Sequence, residues 1–222
     1  MILKIDPSLN ARFPGLQALI YKLSDVHIQK RSPDLETFKN EVRKNVKEKY
    51  DLESLKDLPT FRFYRDFFWR IGVDPTKNRP ATEALIRRIL GGGTIPTINT
   101  LVDAYSLASI ETEIALAVFD IKKMKSELIM HPSKVGEKFV GIGMDKPMIF
   151  QGGEVVVSDS EKPIAVYPHR DAEDTKVTMA TKDIILMVCG VPGINIETLY
   201  QASKTAVEYI YKFCDGNTNI QI

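Results

Sequence analysis

The stretch Ile110-Glu111-Thr112-Glu113-Ile114-Ala115-Leu116-Ala117-Val118-Phe119-Asp120 decides how the chain is read. Before it, apolar residues recur every three or four positions. After it, they come in short runs broken by Gly, Pro, Asp and Lys. The first spacing belongs to helices buried on one face, the second to strands joined by turns. The runs are Ile114–Phe119, Leu128–Met130, Phe139–Ile142, Met148–Phe150, Val155–Val157, Ile164–Tyr167, Val177–Met179 and Ile184–Cys189. An α+β (mixed α/β) chain is expected, with a helical N-terminal part and a β-rich C-terminal part.

Working back from the switch, Asn99 is placed to cap a nearly buried helix over Thr100–Ile110. Gly91-Gly92-Gly93 ends a helix over Ala81–Leu90, with Leu85, Ile86 and Ile89 inward and Arg87 and Arg88 outward. Pro59-Thr60 opens an aromatic helix, Phe61–Ile71, closed by Gly72, in which six aromatics are interleaved with Arg62, Arg65 and Arg70. Such a helix is either core, with Arg stems lying along the rings, or a platform where bases stack and arginines neutralise phosphates. Ser32-Pro33-Asp34 opens an exposed amphipathic helix, and Leu16–Ile28 reads as a strand entered from the Pro14-Gly15 turn. Ile196–Phe213 reads as a further helix. With no linker-like stretch and no internal repeat, residues 1–222 are read as a single domain.

Composition narrows the class. Hydrophobic residues at 44% and charged residues at 27% are the balance of a globular protein, which excludes disordered and collagen-like chains. The longest uncharged run, Ile89–Val102, falls short of the roughly 20 apolar residues a membrane span needs. Met1–Asp6 lacks the apolar stretch of a signal peptide, and Cys189 and Cys214 are too few for a disulfide framework. A cytoplasmic location is expected. The net charge of +1 hides a split: residues 1–90 carry 18 Lys/Arg and 12 Asp/Glu, whereas residues 91–222 carry 12 and 17. Asymmetry of this kind points to nucleic-acid contact or to a solvated helical surface.

Familiar signatures are missing. The glycines at 91–93 are not followed by Gly-Lys-Ser/Thr, Gly141-Ile142-Gly143 completes no dinucleotide fingerprint, and neither HExxH nor CxxC occurs. No metal site and no cofactor are expected. One segment gathers chemistry: Tyr167-Pro168-His169-Arg170-Asp171, followed by Thr175-Lys176. It holds the lone arginine of the acidic half, a side chain suited to forked recognition of phosphate or carboxylate. A neighbouring His can act as base or donor. The alternative is a polar loop in which Arg170 pairs with Asp171 or Asp174.

The ladder Val102-Asp103, Phe119-Asp120, Gly136-Glu137, Ser158-Asp159, Val177, Thr181 and Ile185-Leu186 resembles the tRNA-binding and editing module of the phenylalanyl-tRNA synthetase beta subunit, formed by its third and fourth domains. Free-standing relatives of that module share Gly72-Val73-Asp74-Pro75-Thr76-Lys77, Arg79-Pro80, Glu83-Ala84-Leu85, Ile95-Pro96, Asn99, the Tyr167-Pro168-X-Arg170-Asp171 segment and Gly190-Val191-Pro192-Gly193. The resemblance implies a core over about residues 60–213, with the strand and helix of 1–58 packed onto it. It also implies a pocket where a wrong amino acid is cleaved from tRNA. The module's editing histidine falls on Ala117, its glutamate on Met187 and its Thr-Asn pair on Tyr105-Ser106, while its glycine-rich stretch becomes Tyr167–Asp171.

These assignments yield a concrete expectation: a tRNA-interacting protein, read as a trans-editing aminoacyl-tRNA hydrolase without synthetase activity. His169, Arg170 and Asp171 are its catalytic candidates. Arg79, Asn99, Tyr105, Ser106, Thr175 and Lys176 are the substrate-binding candidates, and Arg62, Arg65, Arg87 and Arg88 the RNA-binding ones. Partners expected are the aminoacylated 3′ end of tRNA and an aminoacyl-tRNA synthetase, with no DNA and no membrane. The alternatives are a non-catalytic module that binds RNA or a synthetase, and a protein binding a small amino-acid-like ligand. Asp103 and Asp120 are expected to tie backbone, Cys189 to be buried, and His131 to lie at a strand end.

Overall fold

The structure, a computed structural model, describes residues 3–125, 127–215 and 217–221, the last of these as backbone only. Its elements begin with β1 (Leu3–Ile5), α1 (Pro7–Arg12), β2 (Gln17–Ser24), α2 (Pro33–Lys49), α3 (Pro59–Arg70), α4 (Ala81–Leu90) and α5 (Thr100–Thr112). Next come β3 (Ala115–Asp120), β4 (Leu128–Pro132), β5 (Lys138–Phe139), β6 (Met148–Ile149) and β7 (Val155–Ser158). The remaining elements are β8 (Pro163–Val166), β9 (Arg170–Asp171), β10 (Ile184–Gly190), α6 (Ile196–Cys214) and β11 (Asn217–Gln221). The α+β architecture and the helix-to-strand switch after α5 are as the residue spacing requires. No helix among the described residues is long and apolar enough to cross a membrane.

Two sheets carry the structure. One has the antiparallel order β11-β2-β10-β3. The other runs β1-β4-β7-β8-β9, with β1 parallel to β4 and the other pairs antiparallel. β5 and β6 form a separate hairpin. All seven residues of β10 are buried, so its sheet is covered on both faces there. Helix α6 packs on β10 and β2, and α5 packs on α6. One buried cluster extends from Leu9 to Cys214, and a smaller one joins Phe139, Phe150, Val156, Val166 and Ala172.

Local chemistry sets the helix starts. Ser32, Asn99 and Asn195 each accept a hydrogen bond from the backbone N–H three residues on, satisfying a donor the helix cannot. In α3, Phe61, Tyr64, Phe67 and Phe68 are buried while Trp69 is 56% exposed. Core is the better reading of that helix, each buried ring contributing about 1.5–3 kcal/mol. Tyr64 adds a polar link, since its hydroxyl donates to Cys189 O (2.5 Å) and accepts from Ala115 N (3.0 Å).

The aspartates of the ladder fix turns. Asp103 accepts from Ile98 N (2.9 Å) and Lys39 Nζ (2.6 Å), and Asp120 from Lys122 N (3.0 Å) and Thr181 Oγ1 (2.6 Å). Asp159 accepts from the backbone N–H groups of Lys125, Glu161 and Lys162.

Two corrections concern strands. Val177–Met179 is not one, because Thr178 and Thr181 bond to each other through backbone and hydroxyl and fold the segment into a turn. β1 and β9 were not expected. They are two or three residues long, too short for a period, and exist through pairing with β4 and β8.

Candidate functional site

The register of β3 against β10 builds the floor of a cavity of about 90 Å³. Ala117 lies opposite Met187, and Ala115 opposite Cys189. Residues two apart on a strand share a face, so these four side chains form one apolar surface. Leu116, Ala165, Val166 and Ala81 extend the lining, and Tyr167 to Asp171 supply its polar rim. Tyr167 anchors that rim through a single hydroxyl hydrogen shared between Gly190 O (2.8 Å) and Gln17 O (3.1 Å).

Each rim residue has a distinct environment. The His169 ring meets the Phe68 ring edge-on at 5.7 Å. Burial, reinforced by the nearby Arg170 charge, lowers its pKa and favours the neutral imidazole. The Arg170 stem lies over Gly141, where a Cβ would collide with it, and Nη1 donates to Ile142 O (3.1 Å). Among the described residues Arg170 pairs with neither Asp171 nor Asp174, and Asp174 is held by Lys162. The Asp171 carboxyl has no hydrogen-bond or ion-pair partner among them. Burial pushes its pKa up to about 7. The Tyr105 hydroxyl resists ionisation, first through burial and then through the charges of Asp171 and Asp103. Burial and the Asp171 charge also push the Cys189 thiol up, so it is no thiolate nucleophile.

A second concavity, about 520 Å³, opens on the outer side of α4 between Leu52, Lys77, Arg79, Ala84, Arg87 and Arg88. Helix α4 thus touches the small cavity through Ala81 and the basic concavity through its later turns. Arg88 Nε donates to Thr94 O (2.7 Å), and Lys77 lies 4.0 Å from Asp74. Arg79 is exposed, with no partner among the described residues.

The remaining candidates are dispersed. Arg65 is drawn beneath the surface onto Glu83 (3.1 Å), and Arg87 reaches the same carboxylate while still lining the concavity. Arg62 is exposed elsewhere on α3. Asn99 is consumed as the α5 cap and does not line the cavity, nor does Ser106. Thr175 is fully buried, and Lys176 pairs with Glu173. His131 ends β4 with Nε2 at 2.8 Å from Ser158 Oγ. Of the apolar lining, the resemblance marks Ala117 and Met187, whereas Ala81, Ala115, Leu116, Ala165 and Val166, and Lys77 at the basic concavity, are not singled out as site residues from the sequence. An apolar residue at a cavity wall has the same spacing as one in the core.

The B3/4 domain model matches residues 63–217. The chain belongs to the B3/4 domain family. Its similarity to the phenylalanine–tRNA ligase beta subunit of Thermotoga maritima is 26% identity over 129 residues, 58% of this chain and 16% of that subunit. For the beta subunit of Symbiobacterium thermophilum it is 29% over 125 residues, 55% of this chain and 14% of the subunit. This B3/4 chain therefore matches about a sixth of the length of these relatives. An N-terminal fragment of the phenylalanyl-tRNA synthetase beta-subunit from Pyrococcus horikoshii superposes with a TM-score of 0.51 at 14% identity, covering 97% of this chain and 49% of the fragment. That likeness establishes the shared fold.

Proposed function

We propose that this B3/4 domain acts as one folded unit that binds tRNA and hydrolyses an aminoacyl ester in trans. The observation carrying this reading is a cavity lined by Ala117, Met187 and Asp171, the first two where the resemblance puts the synthetase module's editing residues and the third with no partner among the described residues. A base works best with a pKa near the operating pH, and Asp171 sits there. In its ionised form it takes a proton from water as the oxygen attacks the ester carbonyl. Arg170 and His169 stand at the same rim to stabilise the developing oxyanion, the role in which preorganised donors contribute most. Collapse of the tetrahedral intermediate, with the proton passing from Asp171 to the departing ribose oxygen, releases the amino acid and leaves the ribose hydroxyl.

The basic concavity on the same helix supports tRNA as the partner, because Lys77, Arg79, Arg87 and Arg88 line it and only Arg87 is committed to a buried carboxylate. A cytoplasmic location agrees with such a substrate. The test is loss of the ester bond from a panel of mischarged and correctly charged tRNAs, with Asp171→Asn alongside. Acceleration by the wild type and at least tenfold slowing in the variant is the expected result. No acceleration on any tRNA overturns it. In that case the basic concavity favours a tethering module, whose RNA binding survives Asp171→Asn.

A further inference from the structure

We infer that the cavity admits a small amino acid whose α-ammonium group meets Asp171, and that Ala117 and Met187 close it to aromatic side chains. This deepens the proposed hydrolysis and rests on it for the ester, though the binding itself is separately testable. Size is the first argument. A cavity of about 150 Å³ holds benzene, and a single water needs roughly 10–15 Å³. The space here, about 90 Å³, lies between these limits. A side chain of a few heavy atoms fills this space, and a phenol ring has less room in it than the benzene cavity offers.

Lining chemistry is the second argument. Ala115, Ala117, Met187 and Cys189 form an apolar floor, so the part of the ligand entering first carries no charge. The cation must remain at the rim, where the Asp171 carboxyl lacks a protein partner among the described residues. An ammonium there forms a charge-assisted hydrogen bond to one oxygen of the half-buried carboxylate and favours its ionised form, leaving the other oxygen to the attacking water. Met187 decides the depth. It is 1% exposed, sits directly opposite Ala117, and its long side chain takes volume that a smaller residue would release. Ala117 works in the opposite direction, since any larger residue there extends into the same space.

The experiment uses amino-acid amides, which present the ammonium and carbonyl of an aminoacyl ester but need neither RNA nor hydrolysis. L-Alaninamide, L-serinamide and L-tyrosinamide are titrated into the full chain, with thermal shift and calorimetry as readouts. Alaninamide and serinamide should raise Tm by about 5 °C at roughly a hundred times Kd, and tyrosinamide should not. Asp171→Asn should weaken alaninamide binding at least tenfold, and Ala117→Val should abolish it. Met187→Ala should gain tyrosinamide binding. If that variant fails to fold, Ala117→Val and Asp171→Asn carry the test. Tyrosinamide binding to the wild type, or no response to any amide at millimolar concentration, overturns the inference. Should tRNA deacylation then still be observed, hydrolysis stands and only this account of specificity falls. Amide binding without deacylation has the reverse meaning.

Discussion

Arg87 Nε lies 2.7 Å from Glu83 Oε1, and Glu83 is completely buried. Arg65 Nη1 approaches both oxygens of that carboxylate, at 3.1 and 3.2 Å. The carboxylate thus holds α3 to α4 beneath the basic concavity. Removing it leaves two partly buried guanidinium groups facing each other. Glu83→Ala should cost about 3–5 kcal/mol, the usual penalty for stranding a buried charge. Urea unfolding measures it, and a loss below about 1 kcal/mol would show the pair to be worth no more than a surface bridge.

The arginine candidates should separate in their behaviour, whether read from the sequence as contacts to RNA (Arg65, Arg88) or to substrate (Arg79). Arg79→Ala combined with Arg88→Ala removes two phosphate-reaching cations and should reduce the slope of log K against log salt by about 2. Arg65→Ala should lower stability instead, because that side chain already neutralises Glu83. Filter binding across a salt series, paired with thermal melts, distinguishes the two effects. Equal salt slopes in the wild type and the double variant would place RNA contact elsewhere.

Asp171 gives a pH signature. Its folded pKa, about 7, lies above the ordinary aspartate value of 3.8. The folded state therefore holds the proton more tightly, so the contribution to stability is full below the unfolded pKa. It is lost as pH rises toward and through 7. Asp171→Asn should leave stability at pH 4 nearly unchanged and exceed the wild type at pH 8 by about 2–4 kcal/mol. Thermal melts across that range check it, and parallel curves for the two proteins would refute the shift.

Tyr64 links two elements at the cavity wall through one hydroxyl, joining Cys189 O and Ala115 N. Tyr64→Phe leaves a buried carbonyl and a buried N–H without this partner. The expected loss is about 1–3 kcal/mol. Hydrogen exchange at Ala115 should rise in the same variant, and unchanged protection there would mean another acceptor takes over.

Much of the fold is legible locally. The three-and-four spacing of α2 through α5, the caps at Ser32, Asn99 and Asn195, and the stop at Gly91 reflect interactions within a few residues of each other. The aspartates of the ladder are nearly as legible, since Asp120 and Asp159 bond backbone N–H groups two or three residues on. β1 and β9 lay beyond such reading, because two or three residues carry no period and their partners come from other strands.

The site divides in the same way. Residues 169–171 are contiguous, so the sequence by itself determined that histidine, arginine and carboxylate share one place. It also determined that the first ninety residues carry the excess of positive charge. Only the tertiary structure decided that Arg65 is spent on a buried glutamate while Arg79 remains exposed. It alone set Ala117 across from Met187 to limit the cavity beside Asp171. The reason is physical: strand register and the convergence of α3 on α4 are settled by packing and pairing between distant segments, and local spacing constrains neither.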